Sequence, residues 1–188
     1  MKFLRMVVAE TLRMYPEPPL LIRRCRTENV LPQGAKSNTK DATVIRGMDM
    51  FISLYNIHRS PDFWEEPDAF DPMRFTRRFK GNVEGWNGFD PKLWEGQLYP
   101  NENSADFAFL PFGGGARKCV GDQFAMLEAT VTLATVLQKF VFEFDHKTSG
   151  QGREEYMKHP QGLDHPVGMR TGATIHTRQG LHMLVKKR

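Results

Sequence analysis

The chain has 188 residues, enough for one ordinary domain, and at 40% hydrophobic it can bury a core, which excludes global disorder. Its formal net charge of +4 is spread over separate short clusters (Arg23-Arg24, Arg77-Arg78, Lys186-Lys187-Arg188) without interleaved aromatics, so no nucleic-acid partner is expected. Two cysteines, Cys25 and Cys119, are too few for a disulfide scaffold or a four-cysteine zinc site, and the most apolar run, 124–137, falls short of the roughly 20 residues that a membrane span needs.

The first predicted element is a helix over Phe3–Met14, apolar at Phe3, Leu4, Val7, Val8, Leu12 and Met14 and ended by Pro16, Pro18 and Pro19. Glu10 and Arg13 stand three residues apart on it, the spacing of an ordinary exposed ion pair worth about 0.2–0.5 kcal/mol. Short β-prone runs at Leu20–Arg26 and Val44–Ser53 predict a small sheet, and the polar segment 33–41 between them predicts a solvated loop. Residues 55–61 (Tyr-Asn-Ile-His-Arg-Ser-Pro) predict a short helix and a turn, with His58 structural for want of a partner at metal-ligand spacing. The stretch 76–106 sets Trp86, Phe89, Trp94 and Tyr99 among glycines and prolines, a texture that can pin an irregular loop to the body of a protein.

A glycine-rich run, Phe112-Gly113-Gly114-Gly115-Ala116-Arg117-Lys118, then delivers Cys119 and passes through Val120 and Gly121 into a second helix. Glycine lets backbone turn at positive φ and approach a bulky group closely. The N–H groups that open a helix carry about half a positive charge, which favours a thiolate over a thiol. No Gly-Lys-Ser/Thr closes a phosphate loop here, and Lys118 stands where a dinucleotide fingerprint needs its third glycine. A buried structural cysteine is the plain alternative, but it leaves Arg117 and the three glycines unexplained. The helix that follows is apolar nearly all round (Phe124, Met126, Leu127, Val131, Leu133, Leu137), which predicts burial. Phe140–Phe144 predicts a strand, 145–164 a polar linker, and 173–177 with 181–186 a closing hairpin about Gln179-Gly180.

Phe112, Gly115, Arg117, Cys119 and Gly121 fill the pattern F-x-x-G-x-R-x-C-x-G, which resembles the haem-binding loop of the cytochrome P-450 monooxygenases. Glu10-Thr11-Leu12-Arg13 resembles the E-x-x-R helix of the same family, and Pro72-Met73-Arg74-Phe75 its Pro-x-Arg-Phe segment, with Met73 where a glutamate is usual. The resemblance implies the C-terminal, haem-binding portion of that fold, mainly α with small β-sheets. Its parts would be the E-x-x-R helix (1–15), a small sheet running into the Pro-x-Arg-Phe segment (16–75), a meander (76–108), the cysteine loop (109–121), a proximal helix (122–139) and a terminal hairpin (165–188).

It further implies haem b with Cys119 as axial iron ligand, and cofactor contacts from Phe112, Gly113, Gly115, Arg117 and Gly121. Glu10, Arg13 and Arg74 would form a buried structural triad with no part in the chemistry. Arg23 is either a propionate partner or a solvated arginine beside Arg24, and Leu20, Leu21 and Ile22 are either pocket wall or plain core. Thr171, Gly172 and Ala173 would touch the substrate. The implied reaction is monooxygenation: one atom of O₂ enters a hydrophobic small molecule, with electrons from a ferredoxin or a flavoprotein reductase and thiolate donation favouring O–O cleavage. Lys118 and Lys139 would help to form a basic surface for that donor.

The texture of 84–91, 120–125 and 171–177 resembles the carotenoid ring hydroxylases of plants and algae, which implies a chloroplast or membrane-associated setting, although no signal or targeting segment is read here. The family's acid and hydroxyl for oxygen activation come from a helix that precedes the E-x-x-R helix, so the chain is expected to be the end of something larger. The other readings are a haem-binding fragment without turnover and a non-haem structural domain.

Overall fold

The computed structural model describes residues 1–31, 41–145, 169–171, 174–177 and 182–188. Helix α1 (Lys2–Met14) buries Met6, Ala9, Glu10, Arg13 and Met14, which recur at helical spacing along one face. Its last turn closes where Tyr15 N–H donates to Thr11 O (2.8 Å), just before Pro16. Strand β1 (Leu20–Arg24) pairs antiparallel with β4 (Asp49–Ser53), and β2 (Asn29–Leu31) with β3 (Ala42–Val44). The run expected as one strand from Val44 to Ser53 is thus split. Gly47, at φ +89, turns the chain between β3 and β4, and its N–H bonds Cys25 O.

Helix α2 (Leu54–His58) follows β4 directly, capped by Ser53 Oγ, which accepts from Asn56 N–H. Tight 3₁₀ turns occupy Pro72–Thr76, Pro91–Trp94 and Gly115–Arg117. Helix α3 (Asp122–Lys139) runs into β5 (Phe140–Phe144), and three short strands close the chain: β6 (Met169–Thr171), β7 (Ile175–Thr177) and β8 (Met183–Lys187).

The expected closing hairpin is corrected by the pairing. Strand β7 pairs with β6, whereas β8 pairs with β5 along five residues, Phe140 facing Lys187. A five-residue partner offers β8 a longer ladder than three-residue β7 can. Three helices stand beside four two-stranded sheets among the described residues, compatible with the helical portion carrying small sheets that was expected. The segments 33–40 and 146–164, residues Gly172 and Ala173, and the hairpin turn expected at Gln179-Gly180 with residue 181 lie outside the described residues.

Irregular chain builds most of the core. Trp64, Phe75, Phe79, Trp86, Phe89, Trp94 and Phe109 pack with Met6, Ala9, Ala105 and Ala108. Phe75 stacks edge-on to Phe89 at 5.6 Å and tilts against Phe109 at 5.5 Å. Two indoles anchor the meander through donors as well as rings: Trp86 Nε1–H bonds Ala105 O (2.9 Å) and Trp94 Nε1–H bonds Phe75 O (3.1 Å). At Gly88, φ +84, a Cβ would lie 2.4 Å from Phe79 O, so only glycine lets the Phe79 and Phe89 backbones bond each other.

The burial expected of the helix after Cys119 is also corrected. Helix α3 packs on α1, yet only Met126 and Thr130 are buried, and Phe124 (70%), Leu127 (51%) and Val131 (47%) stay exposed. The sequence made the helix apolar on several faces, and the described residues supply a neighbour for only one of them. No described helix is long and apolar enough to cross a membrane.

Candidate functional site

The site rests on a charged centre with no exposed atom on its carboxylate. Helix α1 sets Glu10 and Arg13 three residues apart on its buried face, both 0% exposed. Arg13 grips Glu10 with two parallel bonds, Nε to Oε2 and Nη2 to Oε1, each 2.9 Å. Arg74, on the turn that follows Asp71, donates from Nε to Glu10 Oε1 (3.0 Å), and the Asp71 N–H reaches the same oxygen (2.9 Å).

The remaining guanidinium donors end on backbone oxygens. Arg13 serves His58 O and Pro67 O (both 2.7 Å) and Ala69 O, while Arg74 serves Glu65 O, Glu66 O and Ala69 O. Burial pushes the Arg74 guanidinium below its usual pKa, Glu10 opposes that, and Arg13 adds to it. Both guanidiniums lie near the Trp64 ring, at 5.4 and 6.0 Å from its centroid. The structure thus brings together Glu10, Arg13 and Arg74. The sequence left Glu10 and Arg13 readable as an exposed pair; burial and the third member remove that reading.

His58 continues the network towards the cysteine loop. It is 0% exposed, and its Nε2 accepts the Leu110 N–H at 2.8 Å. Burial, then the charge of Arg13, lower its pKa to about 3, against a weaker pull from the Leu12 and Arg13 carbonyls. The ring is therefore neutral, and its Nε2 lone pair is engaged by the Leu110 amide.

The loop itself is fastened at three points. Gly113 N–H donates to Leu110 O (3.1 Å), Lys118 N–H to Gly115 O (3.1 Å) and Cys119 N–H to Phe112 O (2.9 Å). Gly113 stands at φ +73, and a Cβ there would meet Leu21 Cδ1 at 3.9 Å, so β1 lies alongside the loop. Phe112 packs edge-on against buried Tyr99 at 5.1 Å. Cys119 is presented exposed, two residues before the Gly121 that opens α3. Around it Arg117 and Val120 are exposed too, and no ion pair engages Arg117 among the described residues.

A second polar cluster straddles the cysteine. Lys118 Nζ pairs with Glu102 (2.9 Å) and Asp122 (3.2 Å), and Tyr99 OH donates to Asp122 Oδ2 (2.6 Å). Burial raises the Asp122 pKa, but donation from Tyr99, the Gln123 N–H and Lys118 outweighs it and holds the carboxyl at about 2. Burial likewise lowers Lys118, and Glu102, Tyr99 and Asp122 together raise it above its usual value. Lys118 is therefore spent on two carboxylates, which corrects its expected place on a basic docking surface. The i,i+4 spacing of Lys118 and Asp122 was the signal for this pair. Nothing local marked Tyr99 or Glu102.

Along β1, Leu21 and Arg23 are half-buried on the side that meets the loop, and Arg23 Nη1 bonds Ile22 O (2.9 Å). Leu20 and Ile22 point to the other face, 45% and 58% exposed, so the structure separates them from Leu21. Thr171 lies at the end of β6, opposite Ile175.

No group of three or more His, Cys, Asp or Glu side chains among the described residues could hold a bare metal ion. One exposed thiol on a loop with little side chain in the way suits a metal that brings its own in-plane ligands.

A family model described as cytochrome P-450 matches residues 1–167. The chain is 48% identical, over its whole length, to the chloroplastic cytochrome P-450 97B2 of Glycine max, and covers 30% of that protein. It is 57% identical over 134 residues to the chloroplastic cytochrome P-450 97B1 of Pisum sativum, covering 71% of this chain and 24% of that one. It is 39% identical over 188 residues to the chloroplastic carotene epsilon-monooxygenase of Arabidopsis thaliana, all of this chain and 27% of that one. The chain spans less than a third of the length of these relatives.

Proposed function

The chain belongs to the cytochrome P-450 family, and from that premise we propose that it forms the haem-thiolate portion of a monooxygenase, in which the Cys119 thiolate would hold the haem iron. The observation that carries this reading is the exposed Cys119 thiol, held on a loop closed by its own N–H to Phe112 O. When bound, haem b supplies the activation of O₂, which electron donation from the thiolate favours.

The chain's own residues do the rest. The loop bonds fix the sulfur, and the absence of Cβ at Gly113 and Gly115 leaves room beside a macrocycle. Arg117, exposed and without an ion pair among the described residues, would meet a propionate, with Arg23 on the loop-facing side of β1 as a second cation. Glu10, Arg13 and Arg74 hold α1 to the turn at Pro72–Thr76 and take no part in proton or electron transfer. The substrate is a hydrophobic small molecule, and the 39% identity to a carotene epsilon-monooxygenase supports hydroxylation of a carotenoid ring. The chloroplastic relatives support a chloroplast setting, with a ferredoxin or a flavoprotein reductase as electron donor.

Reduced wild-type chain exposed to CO should give the red-shifted, thiolate-type Soret band, and Cys119→Ala should lose it while Cys25→Ala keeps it. A wild type that takes up no haem refutes the reading. Turnover of a carotenoid panel with each donor class then tests substrate and donor.

A further inference from the structure

We propose that His58 is a positioning residue for the cysteine loop: its ring ties the Leu110 peptide, at the root of the loop, to the Glu10–Arg13–Arg74 centre. This rests on Cys119 as the haem ligand for its functional meaning, but its geometry stands independently.

The path is continuous. Arg13 Nη1 donates to His58 O at 2.7 Å, and His58 Nε2 accepts the Leu110 N–H at 2.8 Å. Leu110 O accepts the Gly113 N–H, and its Cδ2 would lie 3.2 Å from a Cβ on Gly114. One residue pair further on, Phe112 O accepts the Cys119 N–H. The Leu110 peptide is thus held from both sides, and His58 supplies the side that belongs to the scaffold.

The ring cannot turn to another partner. It is wholly buried and leans on Phe109 at 5.2 Å. Accepting the Leu110 N–H requires a bare Nε2, which puts the proton of the neutral ring on Nδ1. The low pKa of the ring, about 3, keeps that lone pair available at neutral pH. An apolar side chain in its place would leave a part-buried amide without acceptor and the loop root held on one side only.

The test compares His58→Leu, His58→Gln and Phe89→Leu in the full chain, the last weakening the aromatic core away from His58. Glutamine can present an oxygen near the place of Nε2, whereas asparagine presents one near Nδ1. In haem-free protein, the Leu110 amide of His58→Leu should exchange about fivefold faster than in wild type, the factor that one hydrogen bond's net worth sets. In haem-loaded protein, its thiolate-type CO band should decay to the thiol type several-fold faster. His58→Gln should restore both, and Phe89→Leu should show neither at equal melting temperature.

Wild-type exchange and band lifetime in His58→Leu overturn the proposal, as does an equal loss in Phe89→Leu or in a well-folded His58→Gln. If His58→Leu does not fold, His58→Gln against His58→Asn gives the same contrast. If wild type binds no haem, the ligand reading of Cys119 fails, and the exchange measurement alone still decides whether His58 holds the loop.

Discussion

Glu10 and Arg74 stand 64 residues apart in sequence and 3.0 Å apart in space, joined inside the protein with Arg13 on the other side of the carboxylate. Every oxygen and most guanidinium donors of this centre are satisfied, which is what makes a buried charge group tolerable. Removing one charge strands the others. Glu10→Gln should therefore lower stability by about 3–5 kcal/mol in denaturant unfolding. Arg74→Lys should also destabilise, because one ammonium cannot reach Glu10, Glu65 O and Ala69 O together. An unchanged midpoint in both would show that the aromatic core alone holds α1 in place.

Tyr99→Phe deletes one oxygen and with it the 2.6 Å bond to Asp122. A hydrogen bond to a charged group is worth about 1.5–3 kcal/mol, so the loss should fall in that range by urea titration. Lys118 and Gln123 still serve the carboxylate, which argues for the lower end. The loss should shrink in acid. Asp122 has its pKa depressed to about 2 in the folded chain, so its contribution is complete above the usual carboxylate range and fades as pH falls towards 2.

His58 gives a second window of pH dependence. Its folded pKa of about 3 lies below the ordinary 6.5, so the unfolded chain takes up a proton there that the folded chain refuses. Stability from this group is complete above pH 6.5 and is lost on acidification from 6.5 towards 3, at a slope approaching about 1.4 kcal/mol per pH unit. Unfolding free energies measured from pH 7 to 4 should show that slope, and His58→Gln should flatten it.

The glycines rank by what a Cβ would meet. Among Gly88, Gly113 and Gly121, Gly88→Ala places a Cβ 2.4 Å from Phe79 O at φ +84 and should be the most damaging. Gly113→Ala meets only ordinary contact with Leu21, so its loss is the left-handed backbone penalty, about 1–2 kcal/mol. Gly121→Ala, at φ −95 with Cys119 Sγ 3.9 Å away, should melt close to wild type. Thermal melting orders the three, at about 2–4 °C per kcal/mol for a chain of this size.

Much of the site was legible because its residues follow fixed local spacings. The cysteine loop is contiguous, and Glu10 with Arg13 is one helical turn. Arg74 was found from its Pro-x-Arg-Phe surroundings, not from any spacing to Glu10. His58 to Leu110 and Tyr99 to Asp122 escaped, because a bond between a side chain and a distant backbone or carboxylate leaves no periodic mark. The exposure of α3 escaped for a related reason. An apolar pattern states that a face wants a partner, and it does not state whether the same stretch of chain provides one.

The bonds that define the site close long loops, 64 residues from Glu10 to Arg74 and 52 from His58 to Leu110. Each closure costs chain entropy before any contact offsets it, and two-stranded sheets are marginal as independent nuclei. The order of refolding is therefore constrained. Helix α1 docked on the turn at Pro72–Thr76 holds the His58 carbonyl through Arg13, so Leu110 is expected to acquire its acceptor after that docking. The cysteine loop is thus expected to form late, and pulse-labelled exchange should then protect the Asp71 amide before that of Leu110.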